Sequence, residues 1–149
     1  MLLSREGRIS KIYMNYNSTW DIQKLSFFTY SRDALNKILE LNNIDSNDEI
    51  IVPDYLCSTV IEVILSVTKK IKFYKVNKKL AYDEDEIEHL ISNKTKLIIF
   101  VDYFGIESSV SERLEQQIKK HKIILVKDAA HSFLTILNND FVKKNVLRL

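Results

Sequence analysis

The sequence predicts an α/β protein with a mostly parallel sheet and helices on both faces. Four short apolar runs alternate with segments whose apolar residues recur at helical spacing. The runs Leu97–Val101 and Ile123–Val126 are apolar throughout, which is typical of parallel strands buried on both faces. Strands and helices alternate from residue 30 onward, and this order implies right-handed crossovers between parallel strands.

The first readable element is a helix that begins near residue 30. Thr29 or Ser31 can cap it, because a hydroxyl there accepts a hydrogen bond from the first turn. Asn42 and Asn43 end it. Residues 1–25 show no regular pattern, and we expect them to be irregular with at most one strand. The apolar face of the helix is Leu35, Ile38, Leu39 and Leu41.

Two strands and an apolar helix come next. Ile50–Val52 is a β-branched run that ends at Pro53, and Ile71–Val76 reads as a second strand. Between them, a helix from about Leu56 to Val67 is apolar nearly all round. Such a helix is predicted to lie between layers rather than on a surface.

Two capping boxes predict the remaining helices. Asp83 with Glu86 opens one that runs to Ile91, and Ser109 with Glu112 opens the other. After Ser132, two apolar segments around an Asn pair resemble the start of a hairpin, Phe133–Leu137 and Phe141–Val142. The second helix has one apolar face: Val110, Leu114 and Ile118.

Composition limits the class of protein. A chain of 149 residues, 46% hydrophobic and 28% charged, fits one soluble globular domain. Lys plus Arg total 22 and Asp plus Glu total 20, so the net charge of +2 is too small to imply nucleic-acid binding. The longest apolar runs are far below the roughly 20 residues of a membrane span, and no signal peptide is evident. We therefore expect a cytoplasmic protein without membrane or nucleic-acid partners.

Two residue counts exclude further classes of site. The single cysteine, Cys57, excludes a disulfide framework and an all-cysteine zinc site. Only two glycines are present, so Gly-rich phosphate loops are absent. His89 and His121 lie on polar helix faces or ends with no partner at metal spacing, so we expect no metal site.

Polar or aromatic clusters follow three of the predicted strands: Pro53–Cys57, Asp102–Gly105 and Asp128–His131. Ligands of open parallel sheets bind beyond the carboxyl ends of the strands. A carboxylate at Asp128 has three possible uses: it can accept a phosphoryl group, bind a metal or hold a protonated ring nitrogen. The alternative is structural, an aspartate that caps the next helix beside a satisfied histidine.

Together these clusters resemble the DegT/DnrJ/StrS sugar aminotransferases, which are fold-type-I enzymes that use pyridoxal phosphate (PLP). The resemblance covers about residues 28–135, the first half of the large, cofactor-binding domain. It implies that residues 1–149 are a single incomplete large domain without the small C-terminal domain. The matching segments are Val52-Pro53-x-Tyr55-x-Cys57, Asp102-x-x-Gly105 and Lys127-Asp128-Ala129-Ala130-His131.

The resemblance also assigns cofactor-binding residues. It implies that Asp128 faces the pyridine nitrogen of PLP, where an anion keeps that nitrogen protonated. His131 corresponds to a residue beside the ring, and Cys57 stands where an aromatic residue often stacks on it. Ser31 and Arg32 fall in the loop whose backbone N–H groups hold the phosphate at a helix N-terminus.

Several positions depart from the family pattern. Ser31 replaces a loop glycine, which needs a backbone geometry that serine tolerates less well. Asp102 replaces a histidine, and we expect its carboxylate to alter that wall of the pocket. The family's Schiff-base lysine lies well downstream of the Asp-Ala-Ala segment, whereas Lys143 and Lys144 lie too close to Asp128. No catalytic residue is therefore assigned, and we expect no turnover by this chain alone.

The resemblance implies transfer of an amino group to a keto sugar attached to a nucleotide, as in surface-polysaccharide synthesis. Because family members build their sites across a dimer interface, we expect a homodimer or association with a full-length subunit. One alternative is a non-catalytic fragment or scaffold that docks to such a partner. Another is a receiver-like signalling domain with Asp102 or Asp128 as phosphoacceptor, although Asp54 stands alone where a receiver has an acidic pair.

Overall fold

A computed structural model describes residues 26, 28–132 and 147–148 of the chain. Within this part, helices and strands alternate as the sequence predicts. The predicted irregular N-terminal segment and the hairpin after Ser132 lie outside the described residues. The elements are α1 (Ser31–Leu41), β1 (Glu49–Pro53), α2 (Ser58–Leu65), β2 (Ile71–Tyr74), α3 (Glu84–Leu90), β3 (Thr95–Val101), a 3₁₀ turn (Tyr103–Gly105), α4 (Glu112–Lys120), β4 (Ile124–Asp128) and β5 (Leu147–Arg148).

The strands form one sheet in the order β2-β1-β3-β4-β5, and every neighbouring pair is parallel. The predicted parallel sheet is confirmed. The chain moves from β1 to β2 on one side and then returns to place β3 on the other side of β1. The direction of winding therefore reverses between β1 and β3, and such a reversal leaves a crevice at the carboxyl ends of the two strands.

Side chains of successive strand residues point to opposite faces of the sheet, and helices cover both faces. The first cluster joins α1 and α2 to one face, and the second joins α3 and α4 to the other. The predicted two-sided cover is thus confirmed. Fully buried members of the first cluster include Leu35, Ile50, Val52, Ile64, Leu97, Ile99 and Val126, and those of the second include Ile51, Ile87, Ile98, Phe100 and Leu114.

Helix α2 lies on the surface, contrary to the expectation that it is buried between layers. It buries Val60, Val63 and Ile64 against the sheet and α1. Leu65, in contrast, is 48% exposed. Only part of the surface of α2 packs against neighbouring elements. Its other apolar side chains are therefore exposed although the helix is mostly apolar.

The start of α1 differs from the prediction, while its end agrees. Its N-cap is Tyr30, in extended conformation and without a side-chain cap, so capping by Thr29 or Ser31 is wrong. Beyond its C-terminus, Asn43 adopts a left-handed φ of 51°. Asparagine tolerates that conformation better than most residues, which explains why the helix ends there.

The two predicted capping boxes form only in part. Asp83 does cap α3, but Glu86 accepts a hydrogen bond from the N–H of Lys75 instead of closing the box. The cap of α4 is Ser111, two residues beyond the predicted Ser109. Long-range contacts decide both cases, because Ser111 also donates to the carboxylate of Glu84 at the start of α3.

The helices run antiparallel to the strands. The hydroxyl of Thr68, which follows α2, donates to the carbonyl of Asp48, which follows α1. The N–H of Glu49 donates to the carbonyl of Lys94, which follows α3. The helix C-termini therefore meet at the amino edge of the sheet, where the strands begin. The helix N-termini lie at the opposite, carboxyl edge, because helices of these lengths span about the same distance as the strands.

Within the described residues, no helix is long and apolar enough to cross a membrane.

Candidate ligand site at the carboxyl edge of the sheet

The three polar clusters that the sequence singles out all lie at the carboxyl edge. The loop after β1 and the 3₁₀ turn after β3 border the crevice where the winding reverses, and the segment after β4 adjoins that turn. Asp128 ends β4 opposite Val101, the last residue of β3, and its carbonyl accepts a 2.8 Å hydrogen bond from the N–H of Asp102. The ends of β3 and β4 are therefore level.

Asp128 presents a largely buried carboxyl group at this edge. The residue is 8% exposed, and Oδ1 accepts a 3.0 Å hydrogen bond from the N–H of Ala130. Within the part of the chain that the structure describes, the carboxylate has no ion pair. The neighbouring Lys127 lies on the other face of the sheet, where it donates to Glu107 and to the carbonyl of Ser108. Asp128 therefore keeps acceptor capacity for a ligand.

His131 follows Asp128 by three residues and is exposed. Its imidazole stacks on the ring of Phe104, with centroids 5.0 Å apart and planes inclined by 9°. His131 is exposed, and Asp128 accepts from the N–H of Ala130, so the structural alternative of an aspartate beside a satisfied histidine stays open. Phe104 is 63% exposed and has a left-handed backbone with φ of 50°. The pair forms a flat aromatic surface.

A second aromatic pair joins the two sides of the crevice. Tyr55 follows β1 and stacks on Tyr103, which follows β3, with centroids 5.5 Å apart. The Tyr103 hydroxyl donates a 2.5 Å hydrogen bond to the carbonyl of Tyr55. Burial raises the pKa of Tyr103, so its hydroxyl stays a neutral donor at any physiological pH. This bond fixes the loop that carries Cys57.

Cys57 is the N-cap residue of α2 and is exposed. Its sulfur lies 3.1 Å from the hydroxyl oxygen of Thr59. That contact and the backbone N–H of Thr59 lower the pKa of the Cys57 thiol, while the negative charge of Asp128 acts in the opposite direction. The charge of Asp128 therefore acts on the Cys57 thiol across the carboxyl edge of the sheet.

The N-terminus of α1 is at the same edge. Ser31 and Arg32 are its first residues, both exposed, and the Arg32 guanidinium lies 4.4 Å from the centroid of the Tyr30 ring. The first N–H groups of a helix have no partner within it and attract anions. Ser31 is helical and not among the residues with positive φ, so the expected strain of replacing a glycine does not arise.

Asp102 does not form a wall of the pocket, and that expectation is wrong. The residue is 1% exposed. Its Oδ1 accepts hydrogen bonds from the N–H and the hydroxyl of Ser108, at 2.8 and 2.6 Å, and lies 3.9 Å from Lys127 Nζ. The side chain faces away from Asp128 because adjacent strand-end residues point to opposite faces. Asp102 instead fixes the loop that follows β3.

The two other histidines lie elsewhere. His89 and His121 line a groove between α3 and α4, together with Asp85, Glu88, Ile91 and Gln117. Across the described residues, no three His, Cys, Asp or Glu side chains are arranged to hold a metal ion.

A doubly wound parallel sheet with these groups at its winding reversal defines an α/β domain, and the winding reversal is where ligands of such sheets usually bind. The sequence model of the DegT/DnrJ/EryC1/StrS aminotransferase family matches residues 29–145. The chain therefore belongs to this aminotransferase family. The family predicted from the sequence is confirmed, and membership excludes the receiver-like alternative.

Solved structures of aminotransferases share the fold. Spr1654 of Streptococcus pneumoniae, assigned as a sugar aminotransferase and solved in its PLP form, is 28% identical, with a TM-score of 0.59 over 68% of this chain and 30% of that chain. A DegT/DnrJ/EryC1/StrS aminotransferase from Brucella abortus is 25% identical, with a TM-score of 0.60 over 68% and 29%. DesV of S. venezuelae, 22% identical with a TM-score of 0.58 over 68% and 28%, supports the fold alone.

The chain spans about 30% of the length of these proteins. This extent confirms the predicted fold class, part of the large domain of a fold-type-I PLP-dependent transferase. The family is PLP-dependent, as the PLP and PMP forms of Spr1654 illustrate. None of the curated proteins matches the chain.

Proposed function

We propose that this chain forms the cofactor-binding part of a PLP-dependent aminotransferase that acts on nucleotide-linked keto sugars for surface-polysaccharide synthesis. The observation that carries the proposal is the Asp128 carboxylate, buried at the end of β4 and without an ion pair among the described residues. The single hydrogen bond from Ala130 leaves the charge of this buried carboxylate without an opposite charge, and a buried charge is costly unless it is paired. A protonated pyridine nitrogen supplies both the charge and the hydrogen bond.

The residues present fit PLP at both of its charged ends. The backbone N–H groups of Ser31 and Arg32, at the start of α1, would hold the phosphate. Asp128 would hold the proton on the ring nitrogen, because an anion in a poorly hydrated site raises the pKa of a neighbouring base. PLP, when bound, supplies an electron sink for the substrate carbon that loses a proton.

Three further side chains would shape the ring site. His131, with its plane set by Phe104, would donate a hydrogen bond at the edge of the cofactor ring. Cys57 would lie along that ring without stacking on it, because a thiol offers no aromatic face. Tyr103 would hold the Cys57 loop in place through its bond to the carbonyl of Tyr55.

We further propose that the chain alone does not turn over. The family resemblance requires a lysine that forms a C=N bond with PLP, and Lys127, the lysine nearest to Asp128 in sequence, is held on the opposite face by Glu107 and Ser108. In an assembly, a full-length subunit would supply such a lysine. By itself, the chain would bind PLP without a covalent bond.

Exposed apolar side chains support association and keep a second function open, that of a non-catalytic scaffold docked to a full-length partner. Apolar side chains exposed together on one surface mark interaction sites. Light scattering of the purified chain tests self-association: we expect a dimer, and a monodisperse monomer would contradict the homodimer. Segments at the carboxyl edge expose five large apolar residues: Phe28, Tyr30, Tyr55, Phe104 and Ile106.

The test is a PLP titration of the purified chain, followed by PLP fluorescence, with Asp128→Asn as the variant. Loss of a charged hydrogen bond is worth about 2 kcal/mol, so we expect roughly thirtyfold weaker binding in D128N. Asp83→Asn is the matched control, because asparagine also caps α3 and the residue lies on the other side of the sheet. It should bind PLP as the wild type does.

Borohydride reduction followed by peptide mass spectrometry tests the non-covalent claim. We expect no phosphopyridoxyl group whose incorporation depends on Asp128. Modification of Lys143 or Lys144 that D128N abolishes would contradict the claim. Equal PLP affinities in the wild type and D128N would remove the basis of the proposed function.

A further inference from the structure

The hydroxyl of Ser132 joins the two segments that carry the Phe104–His131 ring pair. Its Oγ donates a 2.5 Å hydrogen bond to the carbonyl of Asp102 and accepts a 3.0 Å hydrogen bond from the N–H of Gly105. The residue is 4% exposed. Both ends of the turn after β3 are thus tied to one buried oxygen atom.

Phe104 lies in this turn and has a backbone conformation that is unfavourable for a residue with a side chain. Its φ of 50° and ψ of 36° place it in the left-handed region. A residue with a Cβ loses about 1 to 2 kcal/mol there, so the surrounding structure must enforce the conformation. The Ser132 bonds on either side of Phe104 do so.

Ser132 also follows His131 directly. Its N–H donates a 2.8 Å hydrogen bond to the carbonyl of Ala129, which closes the turn containing His131. A single residue therefore fixes the backbones of both rings. The planes of the Phe104 and His131 rings are inclined by 9° to each other.

We propose that Ser132 is a positioning residue: by holding Phe104 in its left-handed turn, it sets the plane of the His131 imidazole beside the ring site of PLP. This inference rests on the proposed function for its consequence in cofactor binding. The ring geometry itself does not depend on PLP. The two parts can therefore be tested separately.

The first arm measures the His131 ring protons by NMR in the full chain without PLP. A stacked phenyl ring shifts these signals upfield, and loss of the stack returns them towards the positions of an unstacked histidine. We expect that loss in Ser132→Ala and in Phe104→Gly, which removes the ring and suits the left-handed backbone. His89 and His121 serve as internal controls and should not move, and His131→Asn assigns the signal.

Ser111→Ala is the matched control variant. It also removes a serine hydroxyl that accepts from a backbone N–H, but at the cap of α4, so it should lower stability and leave the His131 signals unchanged. Ser132→Cys keeps the side-chain size and weakens the hydrogen bonds. If S132A does not fold, the NMR measurement is made on S132C instead. We expect the same loss of the upfield shift.

Two results of the first arm would overturn the proposal. In the first, the His131 signals keep their upfield shift in the measured Ser132 variant and lose it in F104G. The stack then forms without the Ser132 hydroxyl. In the other, F104G leaves the His131 signals in place, so the rings are not stacked in solution.

The second arm is a PLP titration of the same variants. We expect S132A to bind PLP about fivefold more weakly, which corresponds to about 1 kcal/mol, while S111A binds as the wild type does. Unchanged PLP affinity in a variant that has lost the ring stack would overturn the role in cofactor binding. If the wild type itself does not bind PLP, the proposed function fails while the first arm still decides the role of Ser132.

Discussion

The two edges of the sheet are built differently. At the amino edge, polar side chains satisfy one another within the chain. Thr68 donates to the carbonyl of Asp48 and accepts from the N–H of Lys70, while Glu49 pairs with Lys72 at 2.7 Å and accepts from the hydroxyl of Ser92. At the carboxyl edge, aromatic rings are exposed and a buried carboxylate has no ion pair among the described residues.

We infer that residues at the amino edge contribute mainly to stability and residues at the carboxyl edge mainly to ligand binding. Groups that bond each other at the amino edge have no capacity left for a ligand, and their loss affects folding. Phe104 at the carboxyl edge keeps an unfavourable backbone, and Asp128 keeps an acceptor available, both at some cost to stability. Such features persist where function requires them. The comparison predicts that substitutions at the two edges have separable effects.

The largest effect on stability is expected from Thr68→Val at the amino edge. Thr68 is 1% exposed, and valine has the same shape but neither donates nor accepts. Two backbone groups then lose their partner, and the free energy of unfolding should fall by about 2 kcal/mol in urea titrations followed by circular dichroism. PLP affinity should stay unchanged.

Thr68→Ser is the control for this prediction. It keeps the hydroxyl and removes one methyl group, so the expected loss is about 1 kcal/mol. A folded T68V variant that weakened PLP binding as much as D128N does would show that the two edges are coupled, and would break the comparison.

The architecture of the sheet is predictable from the sequence because it depends on local pattern. Side chains of the apolar run Leu97–Val101 point alternately to the two faces of the sheet, so both faces must be covered to remove them from water. All five residues are buried in the structure. The exact start of α4 is not predictable in the same way. Ser109 and Ser111 are chemically alike, and the choice is made by Glu84, which lies 27 positions away in the sequence.

A smaller effect on stability is expected from Phe104→Gly at the carboxyl edge. Glycine relieves the left-handed backbone but loses the stack on His131 and gains freedom in the unfolded state, and each contribution is about 1 kcal/mol. The free energy of unfolding should therefore fall by about 1 kcal/mol. PLP affinity should fall, because the aromatic surface is lost.

Lys122→Gly is the matched control for this change. Lys122 is also left-handed, with φ of 54°, but it is exposed and follows α4 at the amino edge. It has no stack to lose, so this variant should gain up to about 1 kcal/mol. A gain in F104G equal to that in K122G would mean that the ring pair contributes nothing to stability.

The site is only partly predictable from the sequence. Asp128, His131 and Cys57 can be selected because polar residues directly after apolar strands lie at a sheet edge where ligands bind. The roles of Ser132 and Tyr103 cannot be predicted from the sequence. The hydroxyl of each donates to a backbone carbonyl that is distant in sequence and is brought close only by the fold. The one available signal is their position next to the selected residues.

The smallest expected effect is a shift in the pKa of the Cys57 thiol, which tests whether the carboxyl edge is one electrostatic environment. The hydroxyl of Thr59 lowers this pKa and the charge of Asp128 raises it. Thr59→Val should therefore move the pKa up, so that less thiolate is present at neutral pH and alkylation by iodoacetamide is slower. D128N should move it down and make alkylation faster, while D83N, on the other side of the sheet, should leave the rate unchanged.

Because Cys57 is the only cysteine in the chain, the pH dependence of the rate reports on this thiol alone. Equal rates in D128N and D83N would place Asp128 too far from Cys57 for the two to share a ligand.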